Sequence, residues 1–142
     1  MKANQPLTFF VVENHQDTLD AIRMFLQAQG HKVETAPDMA SALKLAPQTA
    51  FDVLISDIGL PDGDGWELMK QLRAIMPLKA IAMSGYGMRA DLEKSKAAGF
   101  AAHLIKPFGP AELEAALQKV LGDRESQSSK TKDRQAQNSS IA

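Results

Sequence analysis

Apolar positions in this chain form short runs that alternate with helical periods between Leu7 and Leu121. Leu7-Thr8-Phe9-Phe10-Val11-Val12 is apolar, β-branched and aromatic with one hydroxyl, the pattern of a strand buried on both faces. Leu19, Ile22, Phe25 and Leu26 then share a helical face, and Gly30 supplies a C-terminal stop. Residues 31–36 read as a second, weaker strand. Asp38 opens a short helix with Met39, Leu43 and Ala46 turned inward. Residues 51–57 form the third strand, followed by the turn Leu60-Pro61-Asp62-Gly63. Asp64, with Glu67 three residues on, starts a third helix in the manner of a capping box. Residues 80–84 are a fourth strand, 88–98 a fourth helix stopped by Gly99, and 101–106 a fifth strand. The last helix has Gly109 before Pro110 in its first turn and Gly122 past its end. Strands alternating with helices at these lengths predict an α/β, doubly wound, five-stranded parallel sheet with helices on both faces.

Composition narrows the function. A chain of 142 residues is one domain's worth, and its net charge of −1 gives no electrostatic footprint for nucleic acid or an anionic membrane. The absence of cysteine removes disulfides and thiolate metal sites. The run from Leu7 to Val12 is too short for a membrane span or a signal-peptide core, so a cytoplasmic protein is expected. From Gly122 the chain is polar, with Ile141 its one large apolar residue. Such a segment lacks the apolar surface to offset its ordering entropy, and 122–142 is expected to be a disordered tail. The domain is then 7–121, preceded by an extension at 1–6.

Candidate chemistry lies at the strand ends, where open parallel sheets bind ligands. Strand one runs into Glu13 and Asn14, strand three into Asp57, strand four into Ser84 and strand five into Lys106; strand two ends without a reactive group. With the flavodoxin-like order 2-1-3-4-5, strands one and three are neighbours, so Glu13, Asn14 and Asp57 meet, flanked by Ser84 and Lys106. Two carboxylates and an amide oxygen suit a hard cation such as Mg²⁺. A carboxylate also serves as a nucleophile toward phosphorus, with a cation, a lysine and a hydroxyl stabilising the transferred charge.

Four stretches carry a family resemblance: Phe10 to Asn14, Asp52 to Gly63, Ala82-Met83-Ser84-Gly85, and Leu104-Ile105-Lys106-Pro107-Phe108. In that order, each at a strand end, they resemble the receiver domain of two-component response regulators over about residues 7–121. The stretch from Ser84 to Lys106 is similar to receivers attached to hybrid sensor kinases. The resemblance implies a phosphorylation-dependent switch that takes a phosphoryl group from a histidine kinase or histidine phosphotransfer protein. It implies that Asp57 is the phosphoacceptor, that Ser84 turns toward the phosphoryl group, and that Lys106 pairs with it ahead of a cis peptide to Pro107. The Mg²⁺ ligands it implies are Glu13, Asn14, Asp57 and the backbone carbonyl of Gly59. The output partner would dock on the face of helix four, strand five and helix five. Such a domain assists its own phosphorylation and dephosphorylation but is regulatory rather than an enzyme.

Two positions depart from the family pattern. Asn14 stands where a second acidic residue is usual, and His103 where a Tyr or Phe three residues before the lysine reports phosphorylation. Both keep open an alternative, a pseudo-receiver that acts as an unphosphorylated interaction module. Other readings are weaker. Glu13 and Asn14 also suit capping of the first helix. His15 and His31 have no partners at ligand spacing. Gly85-Tyr86-Gly87-Met88-Arg89-Ala90 fits a dinucleotide fingerprint, but the next strand ends in Lys106 where an acidic residue should hold the ribose. A phosphatase of the haloacid type needs a second aspartate two residues after Asp57, and that residue is Gly59.

Overall fold

A computed structural model describes residues 5–85 and 89–122. The expected tail past Gly122, the first four residues and the centre of the Gly85–Ala90 fingerprint lie outside the described residues. Five strands, β1 (Thr8–Val12), β2 (Lys32–Ala36), β3 (Val53–Asp57), β4 (Lys79–Ser84) and β5 (Ala102–Ile105), form one parallel sheet in the order 2-1-3-4-5. The helices are α1 (Gln16–Ala28), α2 (Met39–Leu45), α3 (Gly65–Arg73), α4 (Arg89–Ala98) and α5 (Pro110–Leu117), the last running on through a wider turn at Gln118–Gly122.

Alternation along the strands sorts the core into two layers. Phe9, Val11, Val53, Ile55, Ile81 and Met83 face α1 and α5, meeting Leu19, Ile22, Leu26, Leu113 and Leu117. Phe10, Val12, Leu54, Ala80 and Ala82 face the other way, against Ala42 of α2 and Leu68, Met69 and Leu72 of α3. Most of these side chains are fully buried, each worth about 1.5–3 kcal/mol for the larger ones relative to exposure. This double burial is why the strands read as apolar runs rather than as alternating ones.

Helix ends follow local chemistry. Gly30 and Gly99 have φ of 95° and 108°, left-handed conformations that end α1 and α4. The Asp38 carboxylate accepts from Ser41 N at the start of α2, and the Asp64 carboxylate accepts from Glu67 N at the start of α3. The reciprocal half of the expected box is replaced: Glu67 Oε2 accepts from Gln71 Nε2 instead. Neither Glu13 nor Asn14 caps α1, whose N-cap is His15 with no side-chain bond. The expected inward positions pack on the sheet: Ala46, just past α2, is fully buried and Met39 and Leu43 are partly buried against the same layer, joined by the fully buried Ala42. The turn after β3 contains a two-residue antiparallel pair, Gly59–Leu60 with Gly63–Asp64.

Candidate functional site

Backbone ladders hold the strand-end residues in register. Glu13 N donates to Ala36 O at 3.0 Å, Ile58 N to Met83 O at 2.8 Å and Lys106 N to Ser84 O at 2.7 Å, each one residue past a strand end. Gly65 opens α3 directly behind the site: a Cβ there would stand 2.5 Å from the Asp57 carbonyl oxygen, so only glycine allows this approach. The Lys106–Pro107 peptide is cis, as the resemblance implied.

These supports bring Glu13, Asp57 and Lys106 together. Lys106 Nζ donates to Asp57 Oδ2 at 2.7 Å and lies 2.6 Å from Glu13 Oε1. The second approach is an ion pair between the ammonium and a buried carboxylate oxygen. Asp57 Oδ1 accepts from Gly59 N at 3.1 Å. Glu13 is 1 % exposed and Asp57 5 %, so the acids are out of water while Lys106 remains partly accessible.

Burial and charge set the protonation. Burial, reinforced by the Glu13 charge, pushes the Asp57 carboxyl above its ordinary value against the pull of Lys106 and Gly59 N. Burial also works against the Glu13 anion, but the His15 backbone N–H and Lys106 outweigh it and hold that carboxyl below its ordinary value. Burial opposes the charge on Lys106 too, yet its two carboxylate partners keep the ammonium above its ordinary value. With both acids ionised, one lysine leaves a negative charge in excess.

That excess of negative charge, on two buried carboxylates, fits a divalent cation of the Mg²⁺ kind. One ligand atom each from Glu13, His15 and Asp57 lies within 4.8 Å of the others. His15, to which the sequence reading assigned nothing, joins through Nδ1, 3.3 Å from Glu13 Oε2, while its backbone N donates to the same oxygen at 3.0 Å. The signal was its place two residues after a strand-end acid. Asn14 is exposed. Gly59 is exposed in the short hairpin beside Asp57.

Ser84 ends β4 next to Asp57, since Asp57 pairs with Met83 in the ladder. Its Oγ lies 2.7 Å from His103 Nε2. His31 is structural: its Nδ1 accepts from Leu7 N at 3.0 Å and its ring packs edge-on against Phe9. Among the described residues, no helix is long and apolar enough to cross a membrane.

The family model for the response regulator receiver domain matches residues 9–118. The chain is 33% identical over 116 residues to an uncharacterized 14.6 kDa protein in the sodA1 3′ region of Leptolyngbya boryana, covering 80% of this chain and 88% of that one. It is 34% identical over 111 residues to the KDP operon transcriptional regulatory protein KdpE of Escherichia coli, covering 78% of this chain. There it spans about half the relative's length, 49%. Among solved structures, the chemotaxis response regulator CheY4 of Vibrio cholerae has a TM-score of 0.77 at 29% identity, covering 82% of this chain and 99% of that one. A CheY-like receiver domain protein from Methanospirillum hungatei reaches 0.79 at 27% identity, with 87% and 99% covered. An α/β sheet of this order, with its acids and lysine gathered at the strand ends and this match across most of its length, belongs to the response regulator receiver family.

Proposed function

We propose that this domain is a phosphorylation-dependent switch that accepts a phosphoryl group on Asp57 from a phosphohistidine of a histidine kinase or histidine phosphotransfer protein. The observation that carries this reading is the setting of Asp57: buried at the end of β3, one oxygen on Lys106 and the other on Gly59 N. A free carboxylate oxygen lone pair attacks phosphorus. The phosphohistidine P–N bond breaks, the imidazole nitrogen leaves with the electron pair, and an acyl phosphate forms on Asp57. Lys106 neutralises charge on the transferred group, and Ser84 supplies a hydroxyl beside it. Glu13 and Asp57, with Asn14 and the Gly59 carbonyl as further oxygen donors, are the residues that would hold Mg²⁺. The cation supplies charge neutralisation between the acids and the incoming phosphoryl oxygens.

Intact mass after treatment with a small phosphoramidate and Mg²⁺ tests this. One phosphoryl adduct on the native chain, absent from Asp57→Asn, is expected. No adduct, or one that survives the substitution, overturns the reading in favour of an unphosphorylated interaction module.

A further inference from the structure

Four side chains on four elements form one hydrogen-bonded series leading away from the phosphoacceptor. Ser84 Oγ, at the end of β4, is 2.7 Å from His103 Nε2 on β5. His103 Nδ1 is 2.8 Å from Ser95 Oγ on α4. Ser95 Oγ in turn accepts from Trp66 Nε1 on α3 at 3.0 Å. Ser95 is 1 % exposed, a buried hydroxyl on a helix whose other described residues are not buried. A buried polar series of this kind persists only when its members satisfy one another.

The direction of the series follows from what each group is able to do. The indole N–H only donates, so Ser95 Oγ accepts there and has one proton to place. Burial holds the His103 imidazole below its ordinary value against the Asp91 charge, so at neutral pH the ring has one donor and one acceptor. One arrangement has Ser95 O–H donating to Nδ1 and Nε2–H donating to Ser84 Oγ, which keeps the proton of the buried Ser95 hydroxyl within the series. The Ser84 proton then points onward to an acceptor outside the series. The reverse arrangement makes Ser95 accept twice and leaves a buried hydroxyl proton to find a partner elsewhere.

We propose that His103 is a positioning residue: its Nε2 orients the Ser84 hydroxyl, and through Ser95 it ties that orientation to Trp66 in the groove between α3 and α4. This rests on Asp57 being the phosphoacceptor. A phosphoryl oxygen on Asp57 is a strong acceptor for the Ser84 proton. When Ser84 turns toward it, Oγ leaves Nε2, and that half-buried N–H loses its partner. The imidazole turns to recover a partner, Nδ1 releases Ser95, and the Trp66 bond changes with it. Trp66 lines an open groove with Lys70, Arg73 and Lys94, and Lys94 Nζ sits 4.9 Å from the indole centroid. The state of Ser84 is therefore presented on this face. An aromatic hydrocarbon at position 103 would report by filling space; an imidazole reports by exchanging hydrogen bonds.

Trp66 is the sole tryptophan, so its indole N–H gives a single ¹H–¹⁵N resonance. The experiment records that resonance and the intact mass of the full chain before and after phosphoramidate with Mg²⁺, with Mg²⁺ alone as control. The native chain, Ser95→Ala, Ser95→Thr and His103→Phe are compared. In the resting state, the resonance is expected to move in Ser95→Ala and His103→Phe. On phosphorylation it shifts in the native chain, loses that response in Ser95→Ala although the adduct still forms, and recovers it in Ser95→Thr. His103→Phe takes up the phosphoryl group several-fold more slowly. An adduct on the native chain with an unmoved indole resonance overturns the proposal, as does a native-like response in Ser95→Ala. If no adduct forms, the phosphoacceptor reading fails. The positioning role is then decided by the resting spectra: an indole resonance in His103→Phe unchanged from native refutes it. Should Ser95→Thr fail to fold, the pair Ser95→Ala and His103→Phe decides alone.

Discussion

Lys106 Nζ donates to Asp57 Oδ2 at 2.7 Å and lies 2.6 Å from Glu13 Oε1, so one ammonium serves both buried acids. The same ammonium is the only cation near the buried Glu13 carboxylate among the ion pairs of the described residues, apart from the His15 ring. Removing one partner of a buried pair costs about 3–5 kcal/mol. Because the Lys106 side chain is 20% exposed, a loss near 2–3 kcal/mol is expected for Lys106→Ala without divalent cation. Mg²⁺ should restore part of it, since the acids then gain a counterion, and should bind several-fold more tightly than to the native chain. Thermal melts with and without Mg²⁺ measure both. A variant that melts like the native chain in the absence of metal would show that Lys106 does not compensate Glu13.

His31 gives a pH dependence of known sign. Its Nδ1 accepts from Leu7 N, so the bond exists only while that nitrogen is unprotonated. Burial holds the ring below its ordinary value of 6.5, against the charges of Asp52 and Glu114. The unfolded chain therefore takes up the proton first, and stability is full above about pH 6.5 and declines as pH falls through that value toward the folded one. His31→Asn keeps an acceptor near the Nδ1 position and removes the titration. It should melt lower at pH 7.5, through lost packing on Phe9, but with a flatter decline between pH 7 and pH 5. Parallel curves for the two proteins would show that His31 does not titrate in this range.

The strands and the site triad were legible because one physical rule governs both. A strand covered on two faces carries no charge until it emerges, so the first charged residue after each run marks the ligand end of the sheet. Glu13, Asp57 and Lys106 are such residues, and they meet. Side chains placed by helix packing were not legible. Ser95 sits in a helix of Arg, Asp, Glu and Lys and reads as part of a solvated face, yet it is buried because His103 and Trp66 close over it. Ala42 of α2 was passed over for a similar reason. An alanine there lets the helix lie close to the sheet, a contact that hydrophobic size alone does not announce. Gly65 is required by the backbone of Asp57, eight residues earlier in sequence and adjacent only in the fold.

Residues after Gly122 contribute little that a core would use, with Ile141 the single large apolar side chain among them. A chain ending at Arg124 should therefore melt at a temperature close to that of the full chain. Differential scanning calorimetry of the two decides this, and a clear fall in melting temperature would place part of the segment against the domain.

Asn14 tests how the cation is held. It is exposed, next in sequence to the buried Glu13. A carboxylate about 5 Å from a divalent ion in water-like surroundings gains about 1.7 kcal/mol before screening. Salt and the entropy of fixing an exposed side chain take back roughly half, leaving about 1 kcal/mol, or about fivefold in affinity. Asn14→Asp should therefore bind Mg²⁺ about fivefold more tightly in calorimetric titration at low ionic strength, and the gain should shrink as salt is added. It should also lower the Mg²⁺ concentration needed for half-maximal phosphorylation by a similar factor. The salt dependence separates two ways of acting. A gain that survives high salt means the new carboxylate contacts the ion directly, as an acidic residue at this position does in the wider family. A gain that salt removes means it acts only through the field, with Glu13 and Asp57 making the contacts. No gain at any salt concentration would show that residue 14 faces away from the cation, and that Glu13, Asp57 and backbone oxygen hold it without help from this position.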